Sequence, residues 1–301
     1  MIKGLDRVLD AYGDRVILVS GEGRAFCAGG DIKAQAHAIR KHDREGPAAY
    51  FRDEYGFNKK LFHHAGTYVS YLNGIVMGGG YGISGHGSHL ITCEHTQFAM
   101  PEVKIGFFPD VGAVYHLARV PNELGTYMAL TGNTVGAADM MYMGLAHAHV
   151  AFDRFADFKD VLSGAGVDEA IASVQTAPQG EAILCRYEDV IAACFVHDDA
   201  LAIVDALKTQ GSPFALATAA EIEARSPMSV RVALAHIRKA RAEGFDSVIA
   251  RDLSLSQRFL DLPDFPEGVR AAVIDKDRNP RWNPRDLAGL SSAEAALYLE
   301  S

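Results

Sequence analysis

Cysteine is scarce in this 301-residue chain, and its four copies, Cys27, Cys93, Cys185 and Cys194, form neither a close pair nor a metal-ligand spacing. That excludes a disulfide scaffold and a cysteine metal site. It predicts reduced thiols in a reducing compartment, and the chain is expected to be cytoplasmic. Basic residues are in deficit: 29 Lys and Arg against 38 Asp and Glu give a formal charge of −9. A nucleic-acid partner, which needs a basic face, is therefore not expected, although a local basic pocket for a phosphate stays open. No apolar run approaches the roughly 20 residues of a membrane span, so no membrane partner is expected. Charges interrupt the opening residues Met1-Ile2-Lys3-Gly4-Leu5-Asp6-Arg7, so a signal peptide is not expected either. Internal repeats and low-complexity tracts are also missing. What is present is 49% apolar and 22% charged residues, the balance of a globular chain with a substantial core. Its length is long for one domain and short for two.

The most informative stretch is Asn73-Gly74-Ile75-Val76-Met77-Gly78-Gly79-Gly80-Tyr81-Gly82. The apolar run 71–77 reads as one buried strand ending in three glycines. Glycine loses more backbone freedom on folding than any other residue, so three in a row are costly. One use is a backbone N–H aimed at a ligand oxygen, and the other is a tight turn with no ligand. A second place has the same chemistry. Residues 15–20 read as a buried strand, Gly21-Glu22-Gly23-Arg24 breaks it, and the small-residue loop Ala25-Phe26-Cys27-Ala28-Gly29-Gly30-Asp31 follows. Asp31 is placed to cap a helix carrying Ala34, Ala36 and Ile39. A backbone N–H around Gly30 would then lie near a helix start, where donors are unpaired. Two such loops after two strands match the two donors of an oxyanion hole.

Residues 50–64 read as a helix carrying Glu54. His63 and His64 are adjacent and cannot share a helix face, so they read as solvated. His86, His89 and His95 straddle a predicted strand at 88–93 without a standard ligand spacing, and no metal is expected. Gly80-Tyr81-Gly82-Ile83-Ser84-Gly85 matches a dinucleotide-binding pattern, with Glu102 as a candidate ribose acid. The strand at 88–93 begins too soon to leave room for a crossover helix, which argues against a nicotinamide cofactor. A short strand at 97–100 leads to Pro101-Glu102. Pro109-Asp110 stops regular structure, with Asp110 placed to cap a helix through Leu117. Spacing alone leaves open whether Glu102 and Asp110 are a solvated acid and a cap or a catalytic pair.

The remainder reads as scaffold. Helices are expected at 5–12, 122–130, 136–143 with Thr134 as cap, 181–195 and 200–207. Two more open at Ser212-Pro213 and Ser226-Pro227. A strand is expected at 146–152 and a variable connection at 161–180. Arg238, Lys239 and Arg241 are expected on an exposed face, either solvated or meeting phosphates.

Arg24-Ala25-Phe26-Cys27-Ala28-Gly29-Gly30-Asp31-Ile32, the stretch 73–80 and Phe98-Ala99-Met100-Pro101-Glu102 together resemble the crotonase (enoyl-CoA hydratase/isomerase) superfamily. Two further motifs resemble its 3-hydroxyisobutyryl-CoA hydrolase family. One is Gly106-Phe107-Phe108-Pro109-Asp110-Val111-Gly112. The other is Glu267-Gly268-Val269-Arg270-Ala271-Ala272-Val273-Ile274-Asp275-Lys276-Asp277-Arg278-Asn279-Pro280-Arg281-Trp282. The resemblance covers nearly the whole chain in order. It implies an α/β fold, a crotonase-like spiral of ββα repeats over 1–195 with a helical C-terminal region over 196–301. It implies an acyl-CoA thioester substrate, with CoA part of the substrate and no separate cofactor. By motif position, the backbone N–H groups of Gly30 and Gly79 would form the oxyanion hole. Glu102 and Asp110 would be the catalytic carboxylates, and Glu54, Gly79, Glu102 and Asp110 would contact substrate.

The implied reaction is hydrolysis of 3-hydroxyisobutyryl-CoA, with 3-hydroxypropionyl-CoA as a second candidate, in valine catabolism. Glu102 would attack the carbonyl or activate a water. Two alternatives accompany it: a hydratase or isomerase working through Glu102, and a catalytically weak acyl-CoA binding protein. Against the hydratase, Gly82 stands where the superfamily's hydratases carry a second glutamate. Two further departures are noted. Family members begin with two strands and a full helix before the counterpart of Arg15, a segment that helps form the CoA adenine pocket, and Met1 falls inside that helix. Where the family often has Lys-Pro before the central strand, this chain has Ala65-Gly66-Thr67-Tyr68. The oligomeric state, a homo-oligomer included, is left open.

Overall fold

A computed structural model describes residues 1–300. Eight short strands follow one another: β1 (Ile17–Ser20), β2 (Ala25–Cys27), β3 (Tyr68–Leu72), β4 (Ile75–Met77), β5 (His89–Thr92), β6 (Gln97–Ala99), β7 (Val135–Gly136) and β8 (Ala148–His149). They are divided between two four-stranded sheets, ordered β1-β3-β5-β8 and β2-β4-β6-β7. Each successive pair adds one strand to each sheet, which is the spiral of repeats that the resemblance implied. The first sheet is parallel throughout, with Ile17 opposite Tyr68, Val69 opposite His89 and Ile91 opposite Ala148. In the second sheet only β7 runs antiparallel, with Phe98 opposite Val135.

The chain divides into two units. The first comprises residues 1–29, 56–99 and 134–186, and it holds both sheets. Its interior joins Val69, Tyr71, Ile91 and Cys93 of the first sheet region to Phe158 and Leu162 of the helix Phe155–Ala165 and to Ala170 and Val174 of the helix Val167–Val174. These two helices occupy the stretch expected as a variable connection; their apolar positions cover a sheet face that would otherwise be wet. A second apolar cluster packs Leu9 of the helix Ile2–Tyr12 with Ile17, Phe57, Leu61 and Tyr68.

The single strand expected at 71–77 is two strands. Asn73 breaks it: its carboxamide pairs with Gly21, donating to the carbonyl at 2.7 Å and accepting from the N–H at 2.8 Å. Gly74 then takes φ +108°, where an added Cβ would stand 2.4 Å from the Arg24 carbonyl oxygen. The chain turns there from one sheet into the other. For the same reason Ala25–Cys27, expected as loop, is β2: it pairs with β4. Only Ala148–His149 of the strand expected at 146–152 pairs. Thr134 caps nothing, since Gly136 precedes the helix Ala137–Tyr142.

The second unit comprises residues 30–55, 100–133 and 187–301, and among its described residues no strand occurs. Side-chain caps set several helix starts: Asp31 accepts from Ala34 N at 2.9 Å, Ser212 from Ala215 N at 3.3 Å and Ser226 from Ser229 N at 3.2 Å. The helix Pro227–Ala240 is buried on nearly every side. Its Arg238, expected on an exposed face, is instead engaged by Glu123 at 2.8 Å and Asp198 at 2.7 Å. Arg241 also pairs with Glu123, so of that basic trio only Lys239 is exposed without a charged partner near it in these pairings.

Candidate active site

Three acids that the sequence singled out lie buried in the second unit: Glu54, Glu102 and Asp110 are 4%, 7% and 6% exposed. Glu54 sits on the helix Glu45–Phe62, between Tyr50 and Tyr55. Tyr50, one turn earlier, donates its hydroxyl to Glu54 Oε1 at 3.1 Å. Tyr55 donates to Asp110 Oδ2 at 2.6 Å. Glu102 opens the short 3-10 turn Glu102–Ile105, which ends at Gly106 with φ +73°. Aromatic rings pack together in the same unit: Phe51 stacks on Phe107 at 5.4 Å, and Phe107 lies 4.6 Å from Phe108 and 4.9 Å from Phe265.

A carboxyl deprived of water resists ionisation. Burial pushes Glu54 up to about 7, while the Tyr50 hydroxyl works the other way. Burial pushes Glu102 up to about 8, opposed by its own backbone N–H and reinforced by the charge of Glu54. Asp110 is raised well above the ordinary aspartate range, first by burial, then by Glu102 and Glu54; the Tyr55 hydroxyl opposes this and Asp252 adds to it. Glu102 Oε2 is buried with no hydrogen-bond partner. An oxygen left so is a candidate to bond a water or a ligand.

Asp110 does not act as the helix cap expected of it. Gly112, at φ +74°, precedes the helix Ala113–Leu117, and the Asp110 carboxyl bonds Tyr55 instead. Val111 between them stands at φ +53°, a region that a β-branched residue enters only at a cost of about 1–3 kcal/mol. The turn is held where Gly112 N donates to Asp252 Oδ2 at 2.7 Å. Behind Glu102, the C-terminal motif supplies the support. A Cβ on Gly268 would stand 2.3 Å from the Ile105 carbonyl carbon, and one on Gly106 would stand 2.2 Å from the Asp264 carbonyl oxygen. Arg270 gathers Glu267, Asp275 and Asp277 at 2.6–2.8 Å. Trp282 Nε1 donates to the Ala224 carbonyl at 3.1 Å. The motif is thus the backing of the Glu102 turn.

The two glycine loops also have their places. In the first unit, Gly79 opens the helical turn Gly79–Gly82, so its N–H belongs to a first turn, which has no intrahelical acceptor. A Cβ on Gly29 would stand 3.4 Å from Gly79 N, and one on Gly80 would stand 2.1 Å from the Cys27 carbonyl oxygen. Close packing of the two loops therefore accounts for Gly80 without any ligand. Gly82 accepts from Asn58 Nδ2 at 2.9 Å through its carbonyl. In the second unit, the Tyr50 hydroxyl occupies the space that a Cβ on Gly30 would need, 2.1 Å away. Sequence reasoning missed Tyr50, Tyr55 and Asp252. The four-residue spacing of Tyr50 and Glu54 on a predicted helix was a usable signal for the first.

Residues 1–299 match a family model described as enoyl-CoA hydratase/isomerase. The chain is 36% identical to 3-hydroxyisobutyryl-CoA hydrolase 1 of Arabidopsis thaliana, over 95% of this chain and 79% of the relative. It is 34% identical to the mitochondrial 3-hydroxyisobutyryl-CoA hydrolase of Homo sapiens, over 95% and 76%. Among solved structures, a carnitinyl-CoA dehydratase from Mycobacterium thermoresistibile superposes with a TM-score of 0.93 at 33% identity, covering all of this chain and 88% of the other. An enoyl-CoA hydratase from Rhodobacter sphaeroides gives 0.92 at 29%, covering all of this chain and 89% of the other. With its spiral of paired strands, its Glu102 and Asp110 and its C-terminal motif, the chain belongs to the enoyl-CoA hydratase/isomerase (crotonase) superfamily and, within it, to the 3-hydroxyisobutyryl-CoA hydrolase family.

Proposed function

We propose that this protein hydrolyses acyl-CoA thioesters, with 3-hydroxyisobutyryl-CoA as the substrate of first choice. The observation that carries the reading is the buried, unbonded Oε2 of Glu102 beside a second raised acid, Asp110. An ionised Glu102 in that setting is a strong base and a strong nucleophile. Attack on the thioester carbonyl expels the CoA thiolate and leaves a mixed anhydride, which water then opens. Alternatively, Glu102 takes a proton from a water that attacks the same carbon. Hydrolysis in ¹⁸O-water separates the two, because only the anhydride route can label the protein carboxyl. Asp110, whose burial favours its protonated form, supplies a proton to the leaving sulfur or a hydrogen bond to the substrate hydroxyl, and Glu54 serves as a substrate contact. The backbone N–H of Gly30 and that of Gly79 are each proposed, on the resemblance, as a donor to the thioester oxygen.

A second reading is favoured by the two solved relatives, a carnitinyl-CoA dehydratase and an enoyl-CoA hydratase. Gly82 brings no carboxyl to the hydratase position, which places that reading second. The test is free-thiol release from 3-hydroxyisobutyryl-CoA against hydration of an enoyl-CoA. Thiol release without hydration supports the hydrolase, and hydration without thiol release supports the alternative. Tight binding of either ester with no turnover marks an acyl-CoA binding protein. The pocket's preference between the isobutyryl and propionyl forms rests on one methyl, about 1–3 kcal/mol. We further propose a cytoplasmic location, supported by four cysteines of which none is in a disulfide, and a place in valine catabolism, supported by the resemblance.

A further inference from the structure

The turn that carries Asp110 is anchored from far away in the chain. Asp252, on the helix Phe245–Phe259, has no exposed surface. One carboxylate oxygen accepts from Gly112 N at 2.7 Å and the other from His236 Nε2 at 2.6 Å. His236 is equally buried, on the helix Pro227–Ala240. Its Nδ1 faces Arg251 Nη1 at 3.2 Å, and Arg251 also pairs with Glu243. A guanidinium only donates, so Nδ1 must be the acceptor and Nε2 must carry the proton. Asp252 is thus met by two donors with fixed directions, and one of them, Gly112 N, belongs to the left-handed pair Val111 and Gly112 that follows Asp110.

We propose that Asp252, oriented by His236, is a positioning residue for thioester hydrolysis: it locks the strained Val111–Gly112 turn and so fixes where the Asp110 carboxyl points. The inference rests on the reading of Asp110 as a working carboxyl of that reaction. It explains why two helices spend a buried carboxylate, imidazole and guanidinium on a single loop amide. It also fixes which residue types can serve. An asparagine at 252 presents one acceptor and one donor; in either orientation its NH₂ meets a donor, either Gly112 N–H or His236 Nε2–H.

The test compares wild type, Asp252→Asn and the double variant Arg251→Met with Asp252→Asn, by thiol release from 3-hydroxyisobutyryl-CoA. In Asp252→Asn, kcat should fall about 10- to 100-fold, the scale of a mispositioned group, with KM changed less than about threefold on that same principle of lost orientation alone. Removing Arg251 frees the imidazole to carry its proton on Nδ1 and accept from the new amide, so the double variant should recover at least about a third of the lost kcat. Wild-type kcat in Asp252→Asn, or a loss with no recovery in the double variant, would overturn the inference. If Asp252→Asn does not fold, His236→Leu carries the test: it removes one donor, and an unchanged kcat overturns the proposal. If folded wild type releases no thiol, the hydrolase reading fails on its own. The anchor is then judged by hydrogen exchange at the Gly112 amide, slow in wild type and at least about tenfold faster in Asp252→Asn if the lock exists. Equal exchange overturns it.

Discussion

Tyr55 donates its hydroxyl to Asp110 Oδ2 at 2.6 Å, and both residues are buried. The bond fixes one oxygen of Asp110. In Tyr55→Phe that buried oxygen loses its donor. The variant should be less stable by about 1–3 kcal/mol in urea unfolding, the usual cost of a stranded buried group. Its kcat should fall about tenfold, since a wandering carboxyl loses orientation. Wild-type values for both would mean that the hydroxyl merely fills space.

The pH profile of kcat/KM should rise through the region between about 7 and 8, where burial has pushed Glu54 and Glu102. The charge of Glu54 helps hold Glu102 up. Glu54→Gln removes that charge, so Glu102 should ionise more easily and the rising limb should move to lower pH. Movement to higher pH would contradict the assignment of the limb to Glu102.

Stability should respond to pH with a definite sign. Glu102 is raised from 4.5 to about 8 in the folded protein, so between those values the folded state holds more protons than the unfolded chain. Unfolding free energy therefore falls as pH rises across that window, and the contribution is fully present only below it. Glu102→Gln cannot ionise. Its Tm should lose less between pH 5 and pH 8 than that of wild type, as differential scanning calorimetry would record. An equal or larger loss would contradict the buried-acid account.

Gly268→Ala probes the backing of the Glu102 turn. A Cβ there would stand 2.3 Å from the Ile105 backbone, and backbone cannot swing aside as a side-chain end can. About 1–3 kcal/mol of destabilisation is expected in denaturant unfolding, the range for an overpacked interior. Lowered kcat in the fraction that still folds should accompany it. An unperturbed variant would mean that the C-terminal motif is not the support of this turn.

Much of the scaffold was legible because its signals are local. Asp31, Ser212 and Ser226 cap the helices they head, and the glycine loops follow strands as their composition required. What failed was non-local. Asn73 and Gly74 divide one apolar run into β3 and β4 because of what Gly21 and Arg24 present to them across the fold. Ala25–Cys27 becomes a strand only by pairing with β4. Within the site, the motifs pointed to Glu102 and Asp110, yet the local cap rule misread the Asp110 side chain. Its real partner, Tyr55, and the anchor of its turn, Asp252, stand 55 and 140 residues from Asp110 and Gly112. No spacing rule reaches so far. Arg238 misled for the same reason, since its partners Glu123 and Asp198 lie on other segments.

The most direct test of the central claim is free-thiol release from 3-hydroxyisobutyryl-CoA by folded wild type beside Glu102→Gln and Asp110→Asn. The account predicts release by wild type and a loss of about 10²–10⁴-fold in each variant, the scale of removing a positioned acid or base. Undiminished release in Glu102→Gln would contradict it.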